Sequence, residues 1–180
     1  ARWFPDVSAP RQPHPFCNNA NAAIRRSLWE IHPYDETLTG LEDLAWAKWM
    51  QSNGHGLAYV AAAEIIHIHN ETPQGVCNRY RREAMAFKRI YPEAHVNACD
   101  FLRMTSSNII NDLRHAVKQN VLLKSLSSIF WFRFNQFWGT YQGYRQSLAW
   151  SWSLRQTFYY PRGADAVEGP RREVEPIQYT

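Results

Sequence analysis

Thr39-Gly40-Leu41-Glu42-Asp43-Leu44-Ala45-Trp46-Ala47-Lys48-Trp49-Met50-Gln51-Ser52-Asn53-Gly54 is the most fully specified stretch of this 180-residue chain. Thr39 and Glu42 stand at capping-box spacing, in which a hydroxyl takes the N3 amide and the N3 carboxylate reaches back. Leu44, Ala45, Lys48 and Trp49 follow at helical intervals, and Gly54 sits where a left-handed terminator belongs. The reading is a helix over 40–52. Glu42 and Asp43 then share its first turn, where the helix dipole and unpaired N–H groups favour negative charge.

On the N-terminal side, Pro5, Pro10, Pro13 and Pro15 exclude a regular helix or a central strand, so 1–15 reads as an extended loop. Phe16 to Ile24 reads as a short strand or strand–turn. Asn18, Asn19 and Asn21 are poor strand formers, which points to a specific job for their amides. Ser27 is placed to cap a short helix reaching about His32, stopped by Pro33. On the C-terminal side, Leu57–Val60 and Glu64–His69 read as short strands. After Pro73, the residues Val76, Tyr80, Ala84, Phe87 and Tyr91 form one apolar helical face ended by Pro92. Two more helices are expected over about 97–118 and 120–135.

The chain is 45% hydrophobic and 20% charged, which supports a packed core and excludes general disorder. Charge is uneven. Residues 1–70 carry five Lys/Arg against seven Asp/Glu, whereas 71–160 carry twelve against five. The basic middle also holds most of the aromatic residues, a composition suited to anionic lipid, nucleic acid or phosphorylated ligands. Cys17, Cys77 and Cys99 form no CxxC pair, so a zinc site or disulfide framework is not expected and reduced thiols in a cytosolic protein are. No run of about 18 apolar residues is present to span a bilayer.

Three features fall in order: the asparagine-rich segment ending in Arg25-Arg26, the acidic pair Glu42-Asp43, and the His67-Ile68-His69 strand end. The fuller run is Cys17-Asn18-Asn19-Ala20-Asn21-Ala22-Ala23-Ile24-Arg25-Arg26, Trp29, Pro33-Tyr34-Asp35-Glu36, Gly40 to Ala47, Gly54, Tyr59, Ala63 and Ile66 to His69. Over about residues 16–90 it resembles the C-terminal half of family-two glycosyltransferases, especially bacterial enzymes that build rhamnose-containing surface polysaccharides. The resemblance implies an α/β fold: the acceptor-side portion of a GT-A domain over 1–72, then a helical, basic and aromatic extension over 73–160 and a flexible tail over 161–180.

It also implies a function, namely inverting, metal-dependent transfer of a sugar from a nucleotide-sugar donor to a saccharide or lipid-linked acceptor. Asp43 would be the base that takes the acceptor hydroxyl proton, with Glu42 as its supporting neighbour. Asn19, Asn21, Arg25, Arg26 and Trp46 would contact acceptor or diphosphate. His67 or His69 would contact a divalent metal, Mg or Mn, that neutralises the leaving diphosphate. Such enzymes work in the cytoplasm at the inner face of the membrane, so a peripheral membrane contact is expected too. Family members carry an N-terminal half with an Asp-x-Asp motif, and here no two of the six aspartates stand two apart. The expectation is a chain inactive alone, its donor-binding half lying upstream of Ala1 or on another chain.

Plainer readings stand beside these. The capping box alone explains Glu42, dipole preference alone explains Asp43, and alternating histidines are more often surface or half-buried residues than ligands. Trp131 and Trp138 suit a membrane interface or a helical core against the missing half. The alternative function is a non-catalytic basic module that binds nucleic acid or anionic membrane. A third is a structural subunit completing another chain's active site.

Overall fold

A computed structural model describes residues 5–65 and 71–146, all within one compact unit, Ala1–Leu148. Among the described residues the regular structure is helical: α1 (Arg26–Ile31), α2 (Glu42–Ser52), α3 (Pro73–Ile90), α4 (Ala98–Lys118) and α5 (Leu122–Arg145), with a 3-10 turn at Asn19–Asn21.

The α/β expectation is therefore overturned; no β-sheet occurs among the described residues. The reasons are local. The Asn18 carboxamide oxygen accepts the Ala20 N–H at 2.9 Å and turns the chain where a strand was expected. The 57–60 segment forms only an isolated bridge, in which Tyr59 exchanges two backbone hydrogen bonds with Ala9 at 2.9 and 2.7 Å, and the Leu57 carbonyl accepts the Gln12 N–H at 2.7 Å. Pro10, Pro13 and Pro15 follow Ala9 and have no N–H to extend a ladder. The second expected strand, Glu64–His69, has no regular structure at 64–65, and 66–69 lie outside the described residues.

The helix at the acidic pair is present but begins later than expected, at Glu42. Leu41 is its N-cap, in the left-handed region with φ 59°, and no side chain caps it. Thr39 does not close the expected capping box. It is buried, and its hydroxyl donates to the Arg82 carbonyl at 2.8 Å, tying the approach to α2 onto α3. The far end matches the reading. Gly54 has φ +82°, and the His55 and Gly54 N–H groups bond back to the Met50 and Gln51 carbonyls as a Schellman stop. Likewise α1 starts at Arg26, so Ser27 lies inside it rather than capping it.

Helices α3 and α4 start where expected, after Pro73 and near residue 97, each on a local cap. Thr72 accepts the Gly75 N–H at 3.1 Å ahead of Pro73. Asn97 and Asp100 form a complete capping box. Helix α5 runs ten residues past the expected end. It passes through Gly139 and Gly143, which lie against α3 so closely that a Cβ at Gly139 would overlap the Cys77 carbonyl, and one at Gly143 would sit 2.7 Å from the Ala84 Cβ. Cross-links hold this seam: Arg81 Nε to Gln146 at 2.9 Å and Lys88 Nζ to the Tyr144 carbonyl at 2.7 Å. Helix α4 folds back along α5 through Phe101, whose ring meets Phe134, Trp138 and Tyr141, and through a bidentate Arg133–Asp112 pair. No described helix is long and apolar enough to cross a membrane.

Candidate active site at the start of helix α2

Asp43 is the point on which the surrounding loops converge. Its Oδ2 accepts the Asn19 N–H and its Oδ1 the Leu44 N–H, each at 2.8 Å. An ionised carboxylate has about four lone-pair sites, so acceptor capacity remains for an incoming hydroxyl. Asn19 reaches this position because the 3-10 turn presents its N–H outward. That turn is fastened at both ends, by the Asn18 side chain and by Asn21, whose Nδ2 donates to the Ala63 carbonyl at 2.6 Å. The Asn19 side chain is used separately: its Oδ1 accepts from the Tyr34 hydroxyl at 2.8 Å. Tyr34, Asn19 and Asp43 thus form one chain of hydrogen bonds across three segments.

Tyr34 and Cys17 bound this cluster. Burial pushes the Tyr34 hydroxyl above its usual range, and the neighbouring Cys17, Asp43 and Glu42 add to the effect against the Asn19 bond. Burial, then Asp43, push the Cys17 thiol up, opposed by the backbone hydrogen bond of Asn18. Both groups are thereby favoured in their neutral forms. From α3, Glu83 is raised chiefly by burial; Arg79 and Arg82 oppose this, and Glu71 and Asp43 add to it.

The other expected contacts are dispersed. Trp46 is 4% exposed, donates its indole N–H to the His32 carbonyl at 2.6 Å and meets Tyr34 edge-on at 6.0 Å. It supports Tyr34 from beneath. Arg26 is paired with Glu30 within α1, on an exposed side chain, and Arg25 is the exposed N-cap of the same helix. Glu42 opens α2 beside Asp43. His67 and His69, the metal candidates, lie outside the described residues. Among the described residues no three His, Cys, Asp or Glu side chains are grouped as a metal would require.

Two features had no part in the sequence-based assignment of roles. One is Tyr34, signalled only by the Pro33-Tyr34-Asp35-Glu36 run. The other is the lock behind it. Asp35 accepts from the Thr37 N–H at 2.9 Å and hydroxyl at 2.6 Å, and Arg89 of α3 donates to the Thr37 carbonyl at 2.8 Å. With Thr39–Arg82, this fixes the 33–41 loop on α3 at two places.

Among known proteins, the chain is 38% identical over 66 residues to the O-antigen chain rhamnosyltransferase WbaN of Salmonella anatum. The aligned residues make up 36% of this chain and span about a fifth of that protein, 21% of its length. No protein-family model matches, and no solved structure matches.

Proposed function

We propose that this chain contributes the acceptor side of a glycosyltransferase, with Asp43 as the group that takes the acceptor hydroxyl proton. The observation that carries the reading is the Asp43 carboxylate itself: fixed by two N–H donors at the start of a helix, with lone pairs to spare. The likeness to a rhamnosyltransferase supports the choice of chemistry.

A sugar hydroxyl is a poor nucleophile until its proton is drawn away, and a positioned carboxylate does this as the oxygen attacks the anomeric carbon. The N-terminal turn of α2 is a position where a helix dipole favours a carboxylate. The Asn19 N–H, steadied through Tyr34, keeps the carboxylate oriented while the proton arrives on a free lone pair. Inversion at the anomeric carbon and a saccharide or lipid-linked acceptor are parts of this proposal. So is a divalent metal, which would enter only through His67 or His69 and neutralise the departing diphosphate.

The test is Asp43→Asn in the whole gene product, assayed for transfer from a nucleotide-sugar donor. A loss in kcat of about a hundred- to ten-thousand-fold, with donor affinity retained, is the expected result. Undiminished turnover would remove Asp43 from the reaction. Tyr34→Phe cuts only the bond to Asn19 and is expected to cost less, because the Asn19 N–H still reaches Asp43.

A further inference from the structure

We propose that the turn joining α4 to α5 is a membrane-surface contact that seats apolar side chains among anionic lipid headgroups. Helix α5 has one face, through Gly139 and Gly143, that is buried on α3. On the other side Leu123, Leu126, Phe130 and Phe134 follow at intervals of three and four, a single helical stripe, and all are exposed, Leu123 at 91%. Val117, at the end of α4, is 56% exposed beside the same turn.

Charge identifies the occupant. Residues 113–146 contain no Asp or Glu. The two acids of α4 are already matched, Asp100 by Arg103 and Asp112 by Arg133. Arg114, Lys118 and Lys124 flank the turn with exposed side chains and no acidic partner among the described residues. Apolar side chains ringed by lysine and arginine suit the boundary of an anionic bilayer. A second copy of the chain would bring these cations against their own counterparts. Nucleic acid would use stacking rings, and the most exposed groups at the turn are aliphatic. Trp131 and Trp138 are the weaker choice of anchor. Trp138 packs on Phe101 and Phe134, and Trp131 is half-buried beside Phe132.

The proposal stands apart from the transferase reading and is tested without any sugar. The full chain is floated with vesicles of phosphatidylcholine mixed with phosphatidylglycerol and, separately, of phosphatidylcholine alone. Flotation that requires phosphatidylglycerol and weakens with salt is expected. Leu123→Glu should reduce it about tenfold or more, and Lys118→Glu with Lys124→Glu about thirtyfold. All three positions are exposed, so helicity by circular dichroism should match the unaltered chain. Absent flotation, or equal flotation with both vesicles, overturns the proposal. So does a dimer in sedimentation equilibrium that Leu123→Glu disperses, which would give the stripe to a second copy. Binding to a single-stranded oligonucleotide with no binding to vesicles would assign the cations to nucleic acid instead.

Discussion

Asp43 and Cys17 report on each other, which makes the site testable without substrate. Burial and then Asp43 hold the Cys17 thiol above its ordinary value, and only the thiolate reacts readily with iodoacetamide. Asp43→Asn removes the charge and keeps the shape. Cys17 should then alkylate faster, while the exposed Cys99, on α4, keeps its rate as an internal standard. Peptide mapping of the alkylated chain measures both. An unchanged Cys17 rate would mean that Asp43 does not face it. At this scale the sequence was partly legible. The resemblance of the motif run marks Asp43 as a candidate, where its place in a first helical turn alone would not. Its partner was not legible, because Asn19 holds it with a backbone N–H that any residue but proline could offer. The side-chain amides of Asn18 and Asn21 serve the turn instead, satisfying backbone groups.

Helix ends fell where expected, after Pro73, near 97 and at Gly54, where the capping chemistry is local. They were misread where a distant element claims the capping residue. Thr39 has the right neighbours for a capping box, but the Arg82 carbonyl takes its hydroxyl. The full length of α5 was hidden for a related reason. Glycines cost about 1 kcal/mol each inside a helix, and only the close approach of α3 explains why two are kept. Gly139→Ala tests this. Intrinsic propensity would favour alanine, yet the new Cβ meets backbone of Cys77 rather than a movable side chain. The expected outcome is net destabilisation of about 2 kcal/mol in urea unfolding, with α3 and α5 forced apart. A stabilised variant would show that the seam is looser than described.

For the molecule as a whole, the acceptor-side α/β domain read from the motif run is replaced by loops hung on helices, and asparagine turns and proline account for the missing strands. Those loops also set a response to pH. Asp35 is held below its ordinary value of 3.8, first by the Thr37 hydroxyl and also by the Thr37 N–H and Arg89, against its burial. Its folded-state value is depressed, so its contribution is full above 3.8 and is lost as pH falls through the lower, folded value. Glu83 is raised above 4.5, chiefly by burial. Its contribution is full below 4.5 and is lost as pH rises through the raised value. Thermal unfolding across the acid range separates the two. Asp35→Asn should flatten the fall at the lowest pH, and Glu83→Gln the fall on the rising side. Neither change in slope would appear if these carboxyls were solvated as in the unfolded chain.

The α3–α5 seam has a consequence in time as well as in space. Helices α4 and α5 are neighbours in sequence and meet across the three-residue turn 119–121. The contacts of α3 with α5, such as Arg81 with Gln146, join residues 65 apart. Closing the longer loop costs more chain entropy, so the hairpin is the natural early structure and the glycine seam the late one. The segment that carries Asp43 is fastened to α3 by Thr39 and Arg89. On refolding, the cationic turn would thus form before the glycine seam closes behind it, whereas the ties of Thr39 and Arg89 to α3 lie wholly N-terminal to both.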